Sequence, residues 1–567
     1  MVKIPKKIKM IKKIKEFIDD NNLDGYLIPK NDGYFTEFSN INNLEKITKF
    51  SGSAGFAIIL KKINYLFVDG RYTLQAKKQA GKIFNILEIP HTFPKDLPII
   101  KNTKIGFDPK LFTEETLKKY FDNKVSLIPI EYKFNNKLIR KENYFFQLDN
   151  FVVGENATSK IKRVRKYLSK NKINYFYFSA SENVNWLMNI RGKDLPNSPL
   201  ANCKLILTDK GKLYFFSHLS KVSKLRKEKF KNTKFCSENK IFQIISNLKV
   251  GTFGIDKNTC SVFENNIIES RFKIVSKIDP IYKLKSIKNP TEIKNTVKSH
   301  IEDGVALTKF LYWFKKNERV ITEKTIEKKL EKFRKKSKNY LYPSFDTIAG
   351  SGPNGSIIHY RANHQTNRKL KKNDILLIDS GGQYKWGTTD VTRTTCKGTI
   401  TTKLKNNFTR VLKGHIAVVT CNLKQRVNGS SIDKLARKYL NDAGLDYSHG
   451  TGHGVGFFLN VHEGPQSISK YNNVDLKKGM IVSNEPGYYL ENRYGIRIEN
   501  LIYIDQLKNN LIFKNLTLAP IDLDMINYKL LNIKEKKYLF DYHLDIYFKI
   551  SKYLNKSERK WLVNLIK

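Results

Sequence analysis

Four acids and three histidines in the C-terminal half of this 567-residue sequence stand out by type and spacing. Asp379 closes the apolar run ILLID, and Asp390 follows in TTDVTRT, eleven residues on. Glu485 stands before Pro486 and Gly487 behind the run MIVSN, and Glu499 lies in GIRIEN two residues after Arg497. Between these pairs runs HGTGHGVGFFLNVHEGP, which spends His449, His453 and His462 out of ten histidines in the chain. An aspartate that ends a buried hydrophobic strand is costly unless it is paired or bound to metal. Carboxylates suit hard ions such as manganese, and one imidazole extends the tolerance to cobalt or zinc. Four carboxylates carry enough charge for two divalent ions. Two metals about 3.5–4 Å apart, sharing a water whose pKa they lower, are a recurring hydrolytic device. A structural zinc would want cysteine, and none is near these residues.

The spacing of His449 and His453 matches that of a helical zinc motif, but the residues around them do not. Gly450, Gly452, Gly454 and Gly456 occupy alternate positions, and each costs about 1 kcal/mol relative to alanine inside a helix. No glutamate follows His449 directly, so the HExxH pattern is missing. A strand reading puts residues 449, 451 and 453 on one face and the glycines on the other, where a second backbone or a ligand can approach closely. His462 would arrive from the next loop.

These residues need strands to hold them. Two strands joined by the turn-forming stretch SGGQYKWGT can bring Asp379 and Asp390 side by side. The alternation in GIRIEN places Arg497 and Glu499 on one strand face, opposite Ile496 and Ile498. The block from about residue 340 is accordingly read as strand-dominated and glycine-rich. The sequence after about residue 505 returns to a helical, amphipathic pattern. Upstream, Ile4, Ile8, Ile11, Ile14 and Ile18 recur at spacings of three and four, which predicts a helix over 6–20. That helix leads into the strand GYLIP, and FAIILKKINYLFVDGRY reads as a hairpin turning at Lys61–Asn64. A second start near residue 158, SKIKRVRKYLSKN followed by INYFYFSA, echoes the first, so two related α/β units are expected. The polar stretch Ser286–Lys294 reads as a linker to a third.

Composition narrows the class. Lys and Arg outnumber Asp and Glu by 103 to 53, a net charge of +50. The lysines are spread over the whole chain and no nucleic-acid motif appears, so no specific nucleic-acid partner is expected. No apolar run approaches a membrane span. The basic N-terminus lacks the apolar core of a signal peptide, and Glu16, Asp19 and Asp20 argue against a presequence. Cys203, Cys236, Cys260, Cys396 and Cys421 are odd in number and scattered, as in a reduced cytoplasmic protein.

In their order, DSGGQYKWGTTDVTRT, HGTGHGVGFFLNVHEGP, NEPGYY and GIRIEN resemble the catalytic domain of the pita-bread metallopeptidases, and among these the long, three-domain aminopeptidase P (Xaa-Pro aminopeptidase) form. SGSAGFAIIL, LFVDGRYTLQA and ENVNWLMNIRG are similar to the family's N-terminal domains, and FKNLTLAPID to its C-terminal extension. The resemblance implies an α/β architecture. Residues 1–152 and 153–288 would be two related creatinase-like domains, 289–505 a pita-bread catalytic domain, and 506–567 a helical extension packed on it. It implies Asp379, Asp390, His453, Glu485 and Glu499 as ligands of two divalent ions, usually Mn2+, with Asp390 and Glu499 bridging. It gives His359, His449 and His462 catalytic roles around them, Glu485 a proton-relay role, and Arg497 the task of orienting a ligand carboxylate. Where the family usually shows HYRP, this chain has Ala362. The implied reaction is hydrolysis of the N-terminal Xaa-Pro bond of peptides by a metal-activated bridging hydroxide, in a cytoplasmic homodimer. A prolidase cutting dipeptides, and a non-catalytic binding module on the same fold, are the competing readings.

Overall fold

The computed structural model describes residues 6–39, 41–134, 143–225, 230–423 and 427–566, with side chains from residue 9 onward. The chain divides into two compact units. The first comprises Met1–Asn150, Glu155–Pro196 and Leu200–Ile281, and holds two six-stranded sheets. Across the first sheet run Asn85–Ile89, Asn64–Asp69, Phe56–Leu60, Gly25–Pro29, Lys104–Phe107 and Ser126–Pro129. Across the second run Thr233–Cys236, Leu213–Phe216, Lys204–Thr208, Tyr175–Phe178, Thr252–Ile255 and Lys273–Ser276. Numbered along the chain, both sheets have the order fourth, third, second, first, fifth, sixth. Their strand directions match as well, with the first three strands antiparallel to one another and the rest added parallel. The echo read in the sequence is thus a repeated wiring.

Each half opens on the amphipathic helix its periodicity predicts. In Lys6–Asp20, Ile11, Ile14 and Ile18 are buried; Ile4 and the side chain of Ile8 lie outside what is described. Ala157–Lys170 is capped by the Asn156 side chain and buries Val164 and Leu168. The hairpin is present, with Phe56 opposite Phe67 and Ile59 opposite Asn64.

The second unit comprises Phe151–Gly154, Asn197–Pro199 and Tyr282–Lys567. Its first long element corrects one expectation. Ser286–Lys294 is no extended linker: a helix ends at Ser286, and Pro290 is the first residue of the 27-residue helix Pro290–Lys316. Asn289 caps that helix by accepting from the backbone N–H groups of Thr291 and Glu292, while the Glu292 carboxylate accepts from the Asn289 N–H. Proline suits that position because the N–H it lacks would have had no helical partner.

Behind the helix the strands gather. Ile348–Ser351, Ile375–Ser380 and Val391–Cys396 form an antiparallel sheet in which Asp379 faces Thr392. The stretch between the last two strands is more than a turn: Gly382–Tyr384 pairs with Gly387–Thr388 on one side and with Tyr340–Pro343 on the other. A five-stranded sheet runs Glu463–Ile468, Gly452–Gly454, Ile481–Asn484, Asn500–Leu507 and Asn510–Asn515. Helices Thr402–Val419 and Gly429–Asn441 pack Val418, Ile432 and Ala436 into one core with Val482, Ile502 and Ile504 of that sheet. The expected return to helix near residue 505 is delayed. Asn510–Asn515 is a strand paired with Asn500–Leu507, and the long C-terminal helices are Ile533–Ile550 and Lys556–Asn564. Among the described residues no helix is long and apolar enough to cross a membrane.

Candidate metal centre

The acids and histidines singled out by spacing come from five strand ends of the second unit. Asp379 lies inside Ile375–Ser380 and Asp390 just ahead of Val391–Cys396. Because side chains alternate along a strand, Asp390 shares a face with Thr392, the residue opposite Asp379. His453 is the middle residue of Gly452–Gly454. Glu485 follows Ile481–Asn484, its N–H held 2.7 Å from the Thr451 carbonyl. Glu499 sits between Tyr494–Arg497 and Asn500–Leu507, its N–H 3.1 Å from the Thr392 carbonyl.

Ligand atoms of Asp390, His453 and Glu499 lie within 4.8 Å of one another. Nε2 of His453 is 3.4 Å from Asp390 Oδ2 and 3.6 Å from Glu485 Oε1. The other ring nitrogen, Nδ1, is 2.9 Å from the Gly454 carbonyl, which can only accept, so Nδ1 carries the hydrogen. In the neutral ring Nε2 then turns a lone pair toward two carboxylates, an arrangement that needs a cation between them. Oδ1 of Asp379 and Oδ1 of Asp390 are buried and have no hydrogen-bond partner. Burial, and then the charges of Asp379 and Glu485, hold the Asp390 carboxyl well above the usual carboxylate range. Burial, and then Asp390, Glu485 and Asp379, do the same to Glu499. The donor set, the orphaned oxygens and the crowding of like charge all fit divalent metal.

The expected shared strand face of His449 and His453 does not form. The strand spans only Gly452–Gly454, and His449 lies in the bend before it. Its Nδ1 donates to its neighbour's carbonyl, Gly450 O, at 2.8 Å, and its Nε2 is 2.9 Å from the Tyr489 hydroxyl. That hydroxyl accepts from Arg497 Nη1 at 2.6 Å, and Arg497 Nη2 donates to Asp379 Oδ2 at 2.6 Å. His449 therefore reaches Asp379 through Tyr489 and Arg497. His462 stands beside His453, ring centroids 4.3 Å apart and nearly perpendicular. His359, half-buried, is in the turn after Gly352–Ser356, whose Ile358 carbonyl is 3.5 Å from Arg497 Nη2.

Three supporting residues escaped the sequence reading. Thr392 donates to Glu499 Oε2 at 2.8 Å and accepts from Arg497 Nε at 3.1 Å. Its signal was its place two residues after Asp390, on the same strand face. Tyr489 carried only the alternation of NEPGYYL, and nothing in the sequence pairs it with Arg497. Ser483, the third, accepts from the His453 N–H at 2.8 Å and donates to Glu485 Oε1 at 3.0 Å, fixing two donors at once. The glycines around His453 are explained by backbone approach. A Cβ on Gly452 would fall 1.9 Å from the Ser483 carbonyl oxygen, and one on Gly454 2.2 Å from that of Glu463.

The chain is similar to known proteins over nearly its whole length. Residues 295–506 match metallopeptidase family M24, and residues 509–567 match the C-terminal region of peptidase M24. Residues 10–136 and 137–292 each match a creatinase/prolidase N-terminal domain. The chain is 36% identical to a probable Xaa-Pro aminopeptidase P of Laccaria bicolor, covering 97% of this chain and 92% of that one. It is 34% identical to Xaa-Pro aminopeptidase 1 of Dictyostelium discoideum, covering 99% and 96%. The crystal structure of X-prolyl aminopeptidase from Caenorhabditis elegans, a cytosolic enzyme with a di-nuclear active site, superposes with a TM-score of 0.92 at 28% identity, over 99% of both chains.

Proposed function

Because this chain belongs to metallopeptidase family M24, we propose that it is a metal-dependent aminopeptidase that removes the first residue from peptides with proline second. The observation that carries the reading is the convergence of Asp390, His453 and Glu499 within 4.8 Å. Its context supports it: relatives that match nearly the whole chain are named Xaa-Pro aminopeptidase 1 and probable Xaa-Pro aminopeptidase P.

Asp379, Asp390, His453, Glu485 and Glu499 would hold two divalent cations, and the excess of carboxylate over imidazole favours Mn2+ over Co2+ or Zn2+. Bound there, such ions acidify a water for attack and polarise the scissile carbonyl. The remaining work falls to side chains. Glu485, steadied by Ser483, accepts the water's proton and relays it to the leaving nitrogen. His462, edge-on to His453, and His359 orient the substrate carbonyl and donate to the oxyanion that develops on it. Arg497 fixes the Asp379 carboxylate, and Asp379 faces the free amine of the substrate, which limits cleavage to one residue at a time. Through Tyr489, His449 holds Arg497 in place. A prolyl nitrogen carries no N–H in the amide, so the second residue is recognised by shape.

The five cysteines are unpaired in the structure, which with the cytosolic C. elegans neighbour supports a cytoplasmic enzyme. Helix Ile533–Ile550 exposes Ile533, Phe540 and Phe548 at spacings of seven and eight, one apolar row along one face. Such a row supports a homodimer, and Phe548→Asp is expected to shift the mass in sedimentation from dimer to monomer.

The deciding experiment incubates the reduced, purified protein with Mn2+ and a peptide of sequence Xaa-Pro-Xaa, beside an Xaa-Pro dipeptide and an Xaa-Ala peptide. Release of the first residue from the Xaa-Pro-Xaa peptide is expected. No cleavage of it by metal-loaded protein would sink the assignment, and cleavage of the dipeptide alone would turn it into a prolidase.

A further inference from the structure

Arg393 is 2% exposed and forms no ion pair with a carboxylate among the described residues. A buried guanidinium must have its five N–H groups satisfied, and here neutral acceptors do it. Nη1 donates to the carbonyls of Thr392 at 2.8 Å and Glu499 at 2.6 Å. Nη2 donates to Asn500 Oδ1 at 2.7 Å, to the Ala519 carbonyl at 2.7 Å and to the Tyr542 hydroxyl at 2.9 Å. Nε donates to the Pro520 carbonyl at 3.0 Å. Three acceptors thus surround the ligand Glu499, namely its own carbonyl, that of Thr392 and the Asn500 side chain, and three belong to the segment that follows the last strand.

That segment is closed upon itself at the same point. The Tyr542 hydroxyl donates onward to the Ala519 carbonyl at 2.8 Å, and His543 Nε2 accepts from the Ile521 N–H at 3.1 Å. Burial and then the Arg393 charge push His543 down to about 4, so it stays a neutral acceptor beside the cation. Glu499 in turn depends on local backbone: its carboxylate is held by Thr392, whose carbonyl Arg393 also binds.

We propose that Arg393 is a positioning residue, through which the segment Thr517–His543 holds the backbone of the metal ligand Glu499 in place. This rests on the reading of Glu499 as a ligand. The C-terminal extension would then be part of the support of the metal centre, with Tyr542 as its contact.

The test is Mn2+ binding to chelator-stripped protein, followed by calorimetry, with kcat and KM from the reloaded enzyme and a melting temperature for each variant. Tyr538→Phe is the control. It sits one helical turn before Tyr542 and loses a hydroxyl that accepts from Asn515 Nδ2 at 3.1 Å but makes no hydrogen bond with Arg393 itself. Arg393→Lys, which keeps the charge but not the fork, is expected to weaken Mn2+ binding by about 10–100-fold, the usual cost of losing an outer partner of a ligand. Tyr542→Phe is expected to weaken it less but in the same direction, lowering kcat with KM unchanged, and Tyr538→Phe to leave it alone. A merely structural role would lower both melting temperatures and spare Mn2+ affinity. If Tyr542→Phe binds Mn2+ as tightly as Tyr538→Phe, the inference falls, even should Arg393→Lys fail to fold. If the unaltered protein binds no Mn2+, the proposed function falls first.

Discussion

Glu463 and the Asp390–Glu499 pair are buried acids of the same unit, neutralised in opposite ways. The Glu463 side chain, 2% exposed, sits between Lys285 Nζ at 2.9 Å and Lys288 Nζ at 2.5 Å. Each of its oxygens has a cation of its own, supplied by the chain. Among the described residues, neither Asp390 nor Glu499 has a lysine or arginine at ion-pair distance. The nearby cation, Arg497, is engaged by Asp379 and Tyr489. Both carboxyls are pushed toward protonation, first by burial, then Asp390 by Asp379 and Glu485, and Glu499 by Asp390, Glu485 and Asp379. A buried charge is tolerated only with a partner. One cluster is complete when the chain folds, and the other is completed from solution.

The two clusters part most sharply at Asp390. Asp390→Ala is expected to abolish metal binding and to cut turnover by roughly ten-thousandfold or more, since several kcal/mol of transition-state stabilisation pass through the metals. Metal content and steady-state rates on one preparation check it, and full activity with normal metal content would refute the ligand assignment. At the other acid the damage goes to stability. Glu463→Gln leaves two buried lysines short of a countercharge and is expected to destabilise by about 3–5 kcal/mol in urea melts. Asp390→Asn in chelator-treated protein should do the reverse and raise the melting temperature. Equal destabilisation by the two substitutions would erase the distinction.

His359→Ala and His462→Ala probe donors rather than ligands. Each is expected to lower kcat by about 10²–10³-fold, as losses of an oxyanion donor do, with two metals still bound per chain. Loss of metal in either variant would move that histidine into the ligand set. The smallest effect is on pH. An unfolded carboxyl titrates near about 4, whereas Asp390 and Glu499 in the folded, metal-free protein titrate well above that. Between those values the folded state holds more protons, so stability falls as pH rises. Thermal melts in chelator should therefore show a declining contribution from about pH 5 upward that Mn2+ removes. A chelated protein that gains from Mn2+ equally at every pH would count against it.

Much of this was legible in the sequence because it rests on local rules. Apolar runs bounded by turn residues located the strands that carry Asp379, Asp390, Glu485 and Glu499. The alternate glycines excluded a helix at His453, and the close approach of Ser483 and Glu463 backbone shows why they are there. What stayed hidden depends on register between distant strands. Thr392 matters because it faces Asp379 across a ladder and meets Glu499 from a third strand. Tyr489 matters because it bridges His449 and Arg497. Neither pairing leaves a trace in spacing. The strand Asn510–Asn515, NLIFKN, was read as helix because its alternation is weak and its lysine and asparagines suit either form. Only pairing with Asn500–Leu507 decides it.

The acceptors gathered around Arg393 also set a timetable. Chains are made from the N-terminus, and domains fold as they emerge. Asp379 and Asp390 are translated well before Glu499, and Ala519, Pro520 and Tyr542 come later still. A growing polypeptide can therefore display all five acids and imidazoles while the guanidinium beneath them still lacks half of its acceptors. Firm metal binding then waits for Tyr542 to emerge and fold, well after the last of the proposed ligands has been made.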